Sequence, residues 1–158
     1  MGSVLLTKKG FKLLSEELRE LLEVRRPQVM VDLAQAREFG DISENAEYET
    51  AKRDQGMIEG RVHELESLLA SSEIIALPDS LEQATLGVVI EILNLATNKD
   101  RTYQLVSEQE AHLSEDYLSV TSPLGKALLG AKKGETVTFQ APAGTRSFKV
   151  LEISSPKE

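Results

Sequence analysis

"YETAKRDQGMIEGRVHELESLL", residues 48–69, decides the fold. Apolar or small side chains stand at Tyr48, Ala51, Ile58, Val62, Leu65 and Leu69, with Gln55 in the place left between Ala51 and Ile58. Alternating steps of three and four put these positions on one stripe of an α-helix, the seam of a coiled coil. A second stripe precedes it: Phe11, Leu14, Leu18 and Leu21, a polar break at Arg25, then Val29, Leu33 and Ala36. The spacing predicts helix over residues 8–73, folded into an antiparallel hairpin whose seams cover each other. Pro27 lacks a backbone N–H and predicts a bend in the first arm, not a break, because the apolar spacing resumes beyond it. Gly40 suits the end of that arm. An arm of roughly 30 residues is about 45 Å long. That exceeds what a compact core needs, so the hairpin end is expected to project into solvent or a partner.

Between the arms lies "EFGDISENAEYE" (38–49), with acids at Glu38, Asp41, Glu44, Glu47 and Glu49. Two chemistries use carboxylates at such a point. Asp41 and Glu44 have the spacing of a capping box at the start of the second arm, with Ser43 as an alternative cap, and the helix dipole favours negative charge there. The same two acids suit Mg²⁺, a hard ion that takes one or two protein carboxylates and keeps places for water and substrate. Two acids do not close a cage, so another molecule would complete the site. Glu47 and Glu49 read as solvated helix face. Arg37, Lys52 and Arg53 flank the acids. They can pair within the helix, as Arg53 with Glu49, or form a small phosphate contact for a nucleic-acid strand.

The pattern changes at "LPDSLEQAT" (77–85), where Pro78-Asp79-Ser80 is turn chemistry. The expected division is a hairpin over 1–77 and a second domain over 78–158. Beyond the boundary run short β-prone segments: 87–93, 102–106, 117–121, 135–139 and 147–153, separated by turns at 97–100 and 142–145. One short helix interrupts them, with Ser122 as N-cap, Pro123 at its first position and Gly130 at its C-terminal end. The fold class is α+β: a helical hairpin, then a small, mostly antiparallel sheet with one helix.

Composition narrows the function. The 158 residues carry a net charge of −8, with 10 basic and 15 acidic residues up to Pro78 and 8 and 11 beyond it. Neither half is basic, which disfavours broad, nonspecific nucleic-acid binding. Hydrophobic residues make up 41%, enough for a core, whereas aromatics are 4%. There is no cysteine, which excludes disulfides, thiolate metal sites and cysteine nucleophiles. No apolar run has the length of a membrane span, and "MGSVLLTKKGFKLL" becomes charged too soon for a signal peptide. A cytoplasmic protein without a membrane partner is expected.

Other motifs fail on spacing. In "GKALLGAKKG" (125–134) Gly130 is followed by Ala131, where a phosphate loop needs Lys then Ser or Thr. His63 and His112 are far apart and lack zinc spacing, and no local pattern supports a Ser-His-Asp triad.

The stretch "AREFGDISENAEYETAKRDQGMIEGRVHELESLL" (36–69) resembles the bacterial transcript cleavage factors of the Gre family, the GreA type more than the GreB type. "LTKKGFKLLSEEL" (6–18) and "SVTSPLGKALLGAKKGETVTF" (119–139) extend the resemblance over nearly the whole chain. It implies an FKBP-like second domain that docks on RNA polymerase and a coiled coil that reaches through the secondary channel. Asp41 and Glu44 would there help hold a second Mg²⁺, shared with the polymerase, and position a water for hydrolysis of backtracked RNA. Arg37 and Lys52, with Arg53 beside them, would contact the RNA 3′ end, and Ser122 and Pro123 would touch the polymerase. Such a factor stimulates the polymerase without being a nuclease itself and takes no small-molecule substrate. Two other readings share the architecture. One is a channel binder that inhibits without cleavage. The other is an FKBP-like isomerase, whose pocket needs an aromatic lining where the second half has only Tyr103, Tyr117, Phe139 and Phe148.

Overall fold

The computed structural model describes residues 3–38 and 46–157. The chain divides into two compact units, one running from Phe11 to Ser72 and the other joining the residues up to Gly10 with those from Glu73 onward.

The first unit is the hairpin. Its first arm is α1 (Lys8–Glu20), a π-helical segment (Leu21–Arg25) and α2 (Arg26–Glu38); the second is α3 (Ala46–Ala70). Leu14, Val29, Leu33 and Ala36 from one arm and Ala51, Ile58, Val62 and Leu65 from the other are buried, all of them predicted seam positions. Contacts between the arms run in opposite senses. Arg61 meets Glu17, Glu59 meets Arg26, Gln55 meets Met30 and Tyr48 meets Arg37. The arms are therefore antiparallel. The α3 helix ends at Ala70, short of the expected residue 73, because Ser72–Ile74 is a strand.

Just before Pro27, where the sequence predicts a bend, the helix widens into the π segment. Pro27 has no N–H to give to Glu23, and the Arg26 N–H reaches back five residues to the Leu21 carbonyl. The wider turn sets both Leu21 and Leu22 against Val29, Ile58 and Val62. It also turns Arg25 out to solvent, so the polar break in the stripe is not a polar seam residue. Arg26 instead reaches across to Glu59 with two hydrogen bonds of 2.7 and 2.8 Å. This lowers the Glu59 carboxyl below its ordinary range, the hydrogen bonds from Arg26 being the main cause.

The second unit is a five-stranded sheet of order β5-β4-β3-β7-β6, formed by β3 (Val89–Asn94), β4 (Lys99–Val106), β5 (Tyr117–Ser119), β6 (Thr136–Ala141) and β7 (Gly144–Ser154). Only the short β5 runs parallel to its neighbour β4. Helix α4 (Pro123–Leu128) supplies Leu128 to a core of Val88, Ile90, Ile92, Leu105 and Val150. Two further strands, β1 (Val4–Leu6) and β2 (Ser72–Ile74), pair with each other. The sequence reading missed both, since three residues are too few to show an alternation. The architecture is α+β.

One buried acid belongs to this unit. Glu110 has no exposed surface. Its carboxylate accepts from the Thr7 N–H and from the Thr7 hydroxyl, the latter at 2.8 Å. The Thr7 hydroxyl oxygen in turn accepts from the Gly10 N–H at 2.9 Å and caps α1. Burial pushes the Glu110 carboxyl above its ordinary value, opposed by the two bonds from Thr7.

Candidate functional site

The predicted metal-holding acids, Asp41 and Glu44, lie outside the described residues. The residues on either side of them are placed. Arg37 is in the last turn of α2 and Tyr48 in the first turn of α3, and the Arg37 guanidinium lies 5.8 Å from the centre of the Tyr48 ring. Lys52 follows Tyr48 by four residues and so lies on the same face one turn on. It is exposed, with its ammonium 3.5 Å from the Gln55 amide oxygen. One flank of the hairpin thus presents a cation from each arm with a half-buried ring between. Arg53 is exposed and lies about 100° further round α3 than Lys52. Its possible pair with Glu49 is not among the ion pairs of the described residues.

The other flank differs in sign. Asp32, Gln35, Glu47 and Thr50, with Ala46 and the buried Ala36 and Ala51, line an open groove of about 370 Å³. Small seam side chains leave this space between the arms. Among the described residues, no group of three or more His, Cys, Asp or Glu could hold a metal ion.

Tyr48 was expected to pack in the seam, and its stacking with Arg37 was missed. The antiparallel register itself carries that information, because it sets residue 37 opposite residue 48 once 26 is set opposite 59.

The second candidate region is the start of α4. The Ser122 hydroxyl accepts from the Gly125 N–H at 3.0 Å and donates to the Ser119 carbonyl at 2.6 Å. The Ser119 hydroxyl bonds that of Thr121 at 2.7 Å. Gly125 packs so closely that a Cβ there would lie 1.9 Å from the Ser119 oxygen. This interlocked turn presents Pro123, exposed at the first helical position. The hairpin end and the Ser122 turn belong to different units.

Comparison with known proteins covers both units. The family model described as transcription elongation factor, N-terminal, matches residues 4–74. Its C-terminal counterpart, transcription elongation factor, GreA/GreB, matches residues 78–155. Transcription elongation factor GreA of Pelobacter propionicus is 41% identical over 152 residues, 96% of each chain. That of Methylococcus capsulatus is 41% identical over 155 residues, 97% of this chain and 98% of the relative. Among solved structures, GreA factor homolog 1 (Gfh1) of Thermus thermophilus is 31% identical, with 97% of this chain and 99% of that chain covered and a TM-score of 0.43. Both family halves are present in order, and the identity to the GreA relatives runs nearly end to end, so the chain belongs to the GreA/GreB family of transcription elongation factors.

Proposed function

We propose that this elongation factor binds bacterial RNA polymerase in the cytoplasm, enters its secondary channel with the hairpin end foremost, and stimulates the polymerase's own hydrolysis of backtracked RNA. The carrying observation is the cationic flank, with Arg37 and Lys52 on either side of Tyr48 and only the segment bearing Asp41 and Glu44 joining the two arms. Cations beside carboxylates suit a polyanionic strand whose reacting phosphate needs a metal ion. In this reading Arg37 and Lys52 contact phosphates of the displaced RNA 3′ end, and Arg53, further round the helix, adds to the field at longer range.

Asp41 and Glu44 are the residues that would hold a shared Mg²⁺. Two hard oxygen donors fit that ion and leave positions for polymerase ligands, substrate and water. When bound, the ion would lower the pKa of a water and offset charge on the reacting phosphate. The factor contributes donors and position, and the polymerase performs the hydrolysis, so the factor is not an enzyme by itself. The Ser122–Pro123 turn is held rigid by its own hydrogen bonds and serves as the polymerase contact of the globular unit.

RNA cleavage in backtracked elongation complexes tests this reading, with wild type compared against Asp41→Ala and Glu44→Ala and polymerase binding followed in parallel. Stimulation by wild type and loss in variants that still bind is the expected result. Binding without stimulation by wild type would leave a channel-occupying inhibitor. Full cleavage by both variants would reduce the two acids to helix caps.

A further inference from the structure

The sheet of the globular unit has one face that continues beyond its core. Residues paired across antiparallel strands point to the same side. Ile90 pairs with Tyr103 and Ile92 with Arg101 and Val150, so the face that buries Ile90, Ile92 and Val150 also carries Tyr103 and Arg101. Further along the same face, Asn94 is flanked by Lys99 and Phe148, and Phe139 pairs with Arg146. The far end of this face therefore gathers Lys99 and Arg101 on β4, Phe148 and Arg146 on β7 and Phe139, directly across from Arg146, on β6. All three cations are exposed and both phenylalanines are half-buried. In a chain of net charge −8 this is a local reversal of sign. It lies at the end of β4 opposite the Ser119–Ser122 turn, because β5 runs parallel to β4 and meets it at Gln104 to Val106.

We propose that this end of the sheet is a docking surface for an acidic protein segment that carries an apolar side chain between its carboxylates. The apolar side chain would rest on Phe139 and Phe148, and the carboxylates would meet Lys99, Arg101 and Arg146. Two details favour a peptide over a nucleic-acid strand. Bases bind by stacking on free ring faces. Here Phe139 and Phe148 stack on each other, with centroids 6.0 Å apart and planes 10° from parallel, and the Arg101 guanidinium covers the Tyr103 ring at 4.7 Å. Arg101 also already binds protein acceptors. It donates to the Glu115 carbonyl at 3.0 Å and lies 3.5 Å from the Asp116 carboxylate. That pairing is half-exposed and open to exchange with an incoming carboxylate.

The test uses the full-length chain labelled for amide NMR. It is titrated with a 12-residue peptide of leucines spaced among glutamates and, separately, with a 12-nucleotide oligouridylate. The peptide is expected to shift the amides of Asn94–Arg101 and Phe139–Phe148 at low salt. Its affinity should fall at least fivefold in the Lys99→Glu/Arg146→Glu variant and should fall with added salt. Should that variant lose its thermal transition, the single Lys99→Ala and Arg146→Ala variants and the wild-type shift map decide the matter. Absence of peptide binding at millimolar concentration, shifts confined to other regions, or affinity unchanged by the charge reversal would each overturn the proposal. Tighter binding of the oligouridylate at the same amides would overturn it in favour of a nucleic-acid surface.

Discussion

Glu110 holds Thr7 by two bonds across 103 residues of sequence, and Gly10 is packed against the same carboxyl. A Cβ at position 10 would lie 2.1 Å from the Glu110 carboxyl carbon. Gly10→Ala is therefore expected to destabilise the globular unit by about 1–3 kcal/mol through overpacking, although alanine improves helix propensity. Glu110→Ala should cost a similar amount, about 1–3 kcal/mol, by leaving the buried Thr7 N–H without an acceptor. Denaturant midpoints measure both, and a Gly10→Ala chain as stable as wild type would contradict the packing described.

The raised pKa of Glu110 sets a direction for pH dependence. An acid whose folded value lies above its unfolded value binds more protons in the folded state between the two, so its contribution to stability falls as pH rises through that window. The window opens at the ordinary glutamate value and closes at the raised one. Glu110→Gln cannot ionise and lacks this dependence. The stability of wild type relative to Glu110→Gln should decrease from pH 4 to pH 7, read from paired unfolding curves. A difference that grows over that range would show that the Thr7 bonds outweigh burial.

Leu65 is fully buried in the hairpin. Leu65→Ala removes packing from a two-helix unit with few other buried large side chains, and a loss of about 2–5 kcal/mol is expected. Helical circular dichroism on heating reports it. Loss of hairpin signal ahead of the sheet transition is the expected order.

At the hairpin end, Arg37→Ala and Lys52→Ala should each lower stimulated RNA cleavage by about fivefold, equivalent to about 1 kcal/mol. Polymerase affinity should stay within twofold, and the defects should shrink as salt rises. Arg53→Ala is expected to have a smaller effect because of its position around α3. Equal losses for all three would point to a general field in place of two defined contacts.

Ser122→Ala removes the cap of α4 and should cost about 1 kcal/mol, whereas Ser122→Gly should cost only a few tenths. If the turn also contacts polymerase, the alanine variant should lose affinity as well as stability, and a binding assay well below the melting temperature separates the two.

The hairpin was legible because a buried seam writes its period into the chain, and among the described residues every buried side chain from Val29 to Leu65 lies on the predicted stripes. Ser122, Pro123 and Gly130 were legible for a similar reason, since each serves a local backbone need. What the chain did not disclose depends on distant partners or very short elements. The π segment follows from Pro27, but its consequence, Arg25 outward and Arg26 across to Glu59, depends on where the second arm lies. Strands β1 and β2 have three residues each and gain order only by pairing across some 70 positions. Glu110 is one acid among 26 until Thr7 is set beside it. At the candidate site, residue types and spacing marked Arg37 and Lys52, but the ring between them emerged only from the register.

The pairing of β1 with β2 has a consequence for synthesis. The Ile75 N–H bonds the Leu6 carbonyl at 2.9 Å, so the hairpin is an insertion whose two ends meet in one small sheet. A ribosome delivers β1 first, its strand partner about 70 residues later and the Glu110 carboxylate after about 100. The hairpin seam consists of contacts within one continuous stretch and can close while the rest is still being made. The first strand therefore stays without its strand partner while the hairpin is made, and Thr7 stays without its acceptor for longer still. Residues made after the hairpin thus fix the place of residues made before it.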